Sequence, residues 1–168
     1  MAHEEHKQAA QRSLSCAVIT VSDTRTEETD TSGRLILDLL KEEKHNIAEY
    51  TIIRDEQHAI RAAIKSLLER EGVQAIVLNG GTGISPRDVT CEVVESFLEK
   101  RLDGFGEIFR YLSFQEIGSA AIMSRAVAGT VGGKILISLP GSTGAVRLAM
   151  TKLVLPELGH MVSQVNRR

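Results

Sequence analysis

The chain has 168 residues, 42% of them hydrophobic and 25% charged, the balance of a globular protein with one sizeable core and not of a disordered tail or a membrane span. Twenty basic residues against 22 acidic ones leave a formal charge of −2, so bulk charge offers no basic face to nucleic acid and makes a small molecule the default partner. Residues 1–13 read as a polar lead-in lacking the apolar stretch of roughly 7–15 residues that a signal peptide needs, and two lone cysteines, Cys16 and Cys91, suit buried core positions in a reducing, cytoplasmic setting away from membranes.

From Leu14 to Val21 the apolar residues run too continuously for a half-exposed strand, which predicts a strand buried on both faces. The polar loop Ser22 to Asp30 follows. Thr31-Ser32-Gly33 then opens a helix with Leu35, Ile36, Leu39 and Leu40 on one face, capped by the nearby hydroxyls and Asp and ended by Asn46. A weaker strand, Ile47 to Ile53, leads through Asp55 into a second helix carrying Ile60, Ile64, Leu67 and Leu68, which Gly72 stops. Val73 to Leu78 is a third apolar strand. It enters Asn79-Gly80-Gly81-Thr82-Gly83, a loop suited to unusual backbone angles or close ligand approach.

A helix from about Asp88, with an acidic first turn, is expected to point Val89, Val93, Val94, Phe97 and Leu98 inward. The stretch Gly104 to Arg125 suggests one or two short helices. Ala126 to Val131 and Lys134 to Leu139 flank Gly132-Gly133 as a hairpin near the sheet edge. Pro140 to Gly144 leads into C-terminal helices broken near Pro156. The alternation predicts an α/β domain over residues 14–168, a three-layer αβα arrangement around a mainly parallel sheet with a small antiparallel edge.

Three strand-to-helix junctions, Ser22 to Gly33, Asn79 to Asp88 and Leu139 to Gly144, are rich in Gly, Ser, Thr and Asp. In an open parallel sheet such junctions gather at the carboxyl ends of the strands, where free amides and helix dipoles cradle phosphate. Any one of them is explained by turns and caps alone; three together favour a phosphorylated ligand. Neither a G-x-x-x-x-G-K-[ST] nor a G-x-G-x-x-G signature is present. Asp55 and Asp88 each stand where a strand or its loop hands over to a helix and would share a rim able to hold Mg²⁺, although each alone reads as a helix cap. Asp23, Asp30 and Arg87 alone read as solvated loop positions. The histidines and cysteines lack zinc-ligand spacing, and no nucleophile elbow appears.

Val21-Ser22-Asp23 with Asp30-Thr31-Ser32-Gly33, Gly80-Gly81-Thr82-Gly83 with Ser85-Pro86-Arg87-Asp88-Val89-Thr90, and Leu139-Pro140-Gly141-Ser142 together resemble the MogA/MoaB family of molybdenum cofactor biosynthesis, from about Leu14 onward. The resemblance implies a molybdopterin-binding fold, and in active members the transfer of AMP from Mg-ATP to the terminal phosphate of molybdopterin with release of pyrophosphate. By motif it assigns catalysis, with Mg²⁺, to Asp55 and Asp88. The same matching gives the ligand cradle to Gly80, Gly81, Thr82, Gly83, Ser85, Pro86, Arg87, Gly141 and Ser142, completed by Ser22, Asp23, Ser32 and Gly33 of the first loop. It further implies a homotrimer or hexamer and a molybdate-insertion protein as partner. Thr143 stands where proline is frequent, as in the MoaB-type branch, so a molybdopterin carrier without turnover is the alternative that pyrophosphate release distinguishes.

Overall fold

The computed structural model describes residues 13–167, so the lead-in lies, apart from Ser13, outside the described residues. In chain order the elements are β1 (Ser15–Val21), α1 (Thr31–Glu42), β2 (Asn46–Ile53), α2 (Gln57–Glu69), β3 (Ala75–Asn79), α3 (Thr90–Glu95), β4 (Lys100–Arg101), α4 (Asp103–Ile117), β5 (Val127–Val131), β6 (Lys134–Leu139), α5 (Thr143–Ala149) and α6 (Leu155–Val165). A 3-10 turn, Gly118–Met123, extends α4, and π-helical Met150–Val154 joins α5 to α6.

The strands form one sheet in the order β2-β1-β3-β6-β5-β4. β2, β1, β3 and β6 are parallel, while β5 and β4 make the antiparallel edge. Side-chain alternation sorts the core into two halves. Cys16 and Val18 pack with Ile36, Leu40, Phe109, Val146 and Leu158 from α1, α4, α5 and α6. Ala17, Ile19 and Val21 pack with Ile60, Ile64, Val93 and Val94 from α2 and α3. The fold is therefore three-layer αβα, and β1 reads as an unbroken apolar run because both its faces are covered. Both cysteines are buried, and burial pushes the Cys16 thiol up to about 12.

Several boundaries differ from the sequence expectation. α1 ends at Glu42 with Lys44 at φ 63°, and Asn46 is already the first residue of β2. α2 ends at Glu69, short of Gly72, where Arg70 turns extended at ψ 109°, and the ammonium of Lys134 donates to the carbonyls of Arg70 at 2.6 Å and Val73 at 2.5 Å just beyond it, a place where a cation suits a helix end. α3 begins at Thr90, not Asp88, and stops at Glu95, so half-buried Phe97 and Leu98 pack from the connection to β4. The 15 residues of α4 replace the short helices expected after Gly104. The expected break at Pro156 is absent: Val154 keeps right-handed helical angles, and the π-helical turn accommodates a proline that lies in the first turn of α6. The hairpin forms as expected, Gly132 at φ 55° and Gly133 at φ 75°, a pair of angles that side-chain-bearing residues avoid. Only β5 and β4 lie toward the edge, since β6 pairs with β3 inside the sheet.

Candidate functional site

β1 has β2 on one side and β3 on the other, so the chain reverses direction across the sheet at β1, and the carboxyl ends of β1, β3 and β6 open onto one rim. The three junctions meet there. The Gly80 amide donates to Leu139 O at 3.0 Å, and Gly141 lies against the Cα of Gly80. Gly81, at φ 63°, faces the Asp55 carboxylate, and Gly83 faces that of Asp88. Asp23 ties the first loop to the β2–α2 connection and to the second loop, accepting the Asp55 amide at 3.1 Å and the Arg87 guanidinium at 2.6 Å.

Neither catalytic candidate is a helix cap. α2 is preceded by Glu56 and α3 by Val89, and neither N-cap makes a side-chain bond. Asp88 instead accepts the Ser85 amide at 3.0 Å and closes the turn through Pro86 and Arg87. Among the described residues Asp55 Oδ1 is buried with no hydrogen-bond partner, and so is the hydroxyl of fully buried Thr90; both oxygens flank Gly81. Burial, and then the charges of Asp88 and Asp23, raise the Asp55 carboxyl above its ordinary range against the pull of Arg87. Such a group gains from a cation. Among the described residues no three or more His, Cys, Asp or Glu cluster as a metal cage. Asp55 and Asp88 are the two carboxylates on this rim that could join a cation held mainly by waters and ligand phosphates.

Within Gly80–Ser85 the amides of Thr82, Gly83 and Ile84 meet no hydrogen-bond acceptor among the described residues. Unpaired amides in succession form an anion-binding concavity. Beside the same loop, Gly83, Ile84, Ser85, Asp88, Glu92 and Arg125 are among the residues that line a hollow of about 320 Å³. Size alone does not mark the site, since a cavity of about 720 Å³ opens beside Glu71, Gln74, Lys134 and Asn166 at the amino ends of the strands.

The remaining candidates hold the rim in shape. Ser22 accepts the amides of Thr24 and Arg25, and Ser142 caps α5 by accepting the Ala145 amide. Ser32 is buried, donating to Asn79 Oδ1 at 2.8 Å and receiving Arg25. The Gly33 amide donates to Asp30 at 3.0 Å, so Ser32 and Gly33 stand behind the pocket wall. Asp30 caps α1 as expected and, although taken alone it reads as a solvated loop position, is fully buried. It accepts Thr20 Oγ1 at 2.5 Å, Tyr50 OH at 2.6 Å, Arg25 and the Gly33 amide. Burial pushes its carboxyl up, but these bonds outweigh it and hold the group below its ordinary range. Arg25 also donates to Gly141 O at 2.9 Å, joining the first loop to the third. The sequence offered one clue to this network, Thr20 and Asn79 as polar residues at or next to the ends of apolar strands, and none to Arg25 or Tyr50, nor to Arg125 beside the second loop.

A family model described as "Probable molybdopterin binding domain" matches residues 17–160. Molybdenum cofactor biosynthesis protein B of Bacillus subtilis (strain 168) is 52% identical over 168 residues, covering 99% of each chain. A crystal structure of molybdenum cofactor biosynthesis protein B superposes with a TM-score of 0.92 at 50% identity, over 95% of this chain and 99% of that one. The tungsten cofactor synthesizing protein MoaB from Pyrococcus furiosus superposes with a TM-score of 0.80 at 34% identity, over 94% of this chain and all of that one.

Proposed function

Since the chain belongs to this molybdopterin-binding family of molybdenum cofactor biosynthesis proteins, we propose that it binds molybdopterin and adenylylates it with Mg-ATP. The observation that carries the reading is the loop of unpaired amides, Thr82 to Ile84, set between two carboxylates, Asp55 and Asp88, that cap no helix. A terminal phosphate oxygen of molybdopterin attacks the α-phosphorus of ATP. One P–O bond forms, the α–β anhydride bond breaks, and pyrophosphate leaves with the electron pair. No protein nucleophile is needed, so the work is alignment and charge neutralisation. The loop amides hold phosphate oxygens, while Asp55 and Asp88 would hold Mg²⁺. When bound, Mg²⁺ supplies positive charge to the departing pyrophosphate. With ATP labelled at the α-phosphate, label is expected on molybdopterin; label confined to ATP and free AMP would defeat the reading.

The carrier alternative has its own support. One oxygen of Asp88 is already engaged by the Ser85 amide, and Thr143 replaces the frequent proline after Ser142.

Gly81→Val tests the cradle. A Cβ there would fall 2.3 Å from Thr90 Oγ1 and 2.9 Å from Asp55 Oδ1, at a left-handed backbone angle. The strain is expected to cost about 1–2 kcal/mol of stability. Molybdopterin affinity should fall at least about tenfold as the loop is displaced. A folded Gly81→Val chain with wild-type affinity in a fluorescence titration would remove the assignment.

We also propose that copies of the chain assemble as a trimer or hexamer, the product passing to a molybdate-insertion protein. Ile108, Tyr111, Phe114 and Ile117 follow one another along the outer side of α4, and Ile122 and Met123 continue onto its 3-10 extension, all at least half exposed. Monomeric proteins rarely leave so much apolar surface uncovered. Phe114→Glu with Ile117→Glu is expected to give monomers in analytical ultracentrifugation; an unchanged sedimentation coefficient would exclude this face. No helix among the described residues is long and apolar enough to cross a membrane.

A further inference from the structure

The orientation of the loop amides traces to a residue outside all three junctions. Arg125 lies between the 3-10 turn and β5. Its Nε donates to Thr82 O at 3.0 Å, and its Nη2 donates to Gly83 O at 2.8 Å and Asp88 O at 3.1 Å. Glu92 of α3 grips the guanidinium with both carboxylate oxygens. The bond to Glu92 raises the Arg125 pKa and, seen from the other side, lowers that of Glu92, so the pair stays ionised.

A trans peptide is planar, and its N–H points opposite to its C=O. Because Thr82 O and Gly83 O both point at Arg125, the next amides in the chain, those of Gly83 and Ile84, must point away from it. Gly81 O accepts the Thr90 amide at 3.0 Å, which fixes the Thr82 amide on the opposite side of its own peptide. Two carbonyls held by the guanidinium and one held by the Thr90 amide thus fix the orientation of three successive amides. No regular ladder holds this stretch, so without the guanidinium Thr82 O and Gly83 O lose the one donor each has among the described residues.

We propose that Arg125 is a positioning residue for the anion cradle: it touches no ligand, and its fork on Thr82 O, Gly83 O and Asp88 O aims the Gly83 and Ile84 amides at the phosphate end of molybdopterin. The assignment rests on the molybdopterin reading above. A lysine would not replace it, since an ammonium is a point donor without the planar fork that spans three carbonyls and a carboxylate.

The test compares wild type, Arg125→Ala, Arg125→Lys and Glu92→Gln by three readouts: isolated molybdopterin affinity, thermal midpoint, and the ¹H–¹⁵N signals of Gly83 and Ile84 in the ligand-free protein. Arg125→Ala is expected to weaken molybdopterin binding roughly 10- to 100-fold, the scale of an ångström-sized misplacement. The Gly83 and Ile84 signals should move, methylguanidinium should restore part of the affinity, and Arg125→Lys should recover little. A folded Arg125→Ala chain with wild-type affinity and unmoved signals overturns the proposal. If that variant does not fold, Glu92→Gln, which only loosens the guanidinium, should still move both signals and weaken binding a few-fold; wild-type values there overturn it as well. Signals that move in a wild-type background unable to bind molybdopterin would leave Arg125 as the loop's anchor and defeat the functional reading instead.

Discussion

Replacing Asp88 by Asn is expected to cut adenylyl transfer by a factor on the order of 10²–10³ while molybdopterin still binds. The substitution keeps the shape and leaves an oxygen to accept the Ser85 amide, so the turn through Pro86 and Arg87 should persist. What disappears is a negative charge beside Asp55, next to the reacting phosphates. Loss of one preorganised electrostatic contact to a transition state costs about 3–4 kcal/mol. Loss of a cap costs about 1 kcal/mol of stability, and Asp88 caps no helix. Single-turnover rates with parallel urea melts separate the two: normal turnover with a lower melting midpoint would make Asp88 a structural residue.

The largest stability effect is expected at Asp30. Its carboxylate is fully buried and collects donors from β1, β2, the first loop and the start of α1. Asp30→Ala would leave the Thr20 and Tyr50 hydroxyls without their acceptor and strip the Arg25 guanidinium of its charge partner. Breaking a buried charged network in this way costs about 3–5 kcal/mol, well beyond the roughly 1 kcal/mol of a helix cap alone. Asp30→Asn keeps the shape and should lose less, about 1.5–3 kcal/mol, the worth of bonds to a charged group.

The pH dependence follows from the sign of the shift. The folded-state pKa of Asp30 is depressed below 3.8, so its stabilisation is fully present above that value and is lost as pH falls through the folded-state value. Denaturation midpoints for wild type and Asp30→Asn should therefore converge only in strong acid. A constant gap down to low pH would mean the carboxylate charge is not what stabilises the hub.

How much of this was legible follows from where each signal lies. The buried strands read directly, because a strand covered on both faces is apolar throughout, as Cys16 to Ile19 and Ala75 to Leu78 are. The loops at Gly80 and Gly141 and the pair Asp55 and Asp88 were visible as local motifs at strand ends. β4 was not, since two charged residues, Lys100 and Arg101, carry no alternation to detect. α4 was obscured by Gly104 and Gly106 in its first turns, although Gly106 is there because a side chain would come within 2.9 Å of Ala126 O. Asp30 looked like a solvated loop acid because nothing near it in sequence announces Tyr50. Arg25 and Arg125 reach Gly141 and Thr82 across 116 and 43 residues of chain, a distance over which no periodicity or motif informs.

Pyrophosphate release is the most direct measurement of the central claim. Purified protein is mixed anaerobically with molybdopterin, ATP and Mg²⁺, and pyrophosphate is followed with a coupled assay against reactions lacking each component. Release that requires molybdopterin, stops when Mg²⁺ is chelated and matches the adenylylated product one for one is the expected result. Tight molybdopterin binding with no pyrophosphate above the no-protein control would contradict adenylyl transfer and leave the chain a carrier.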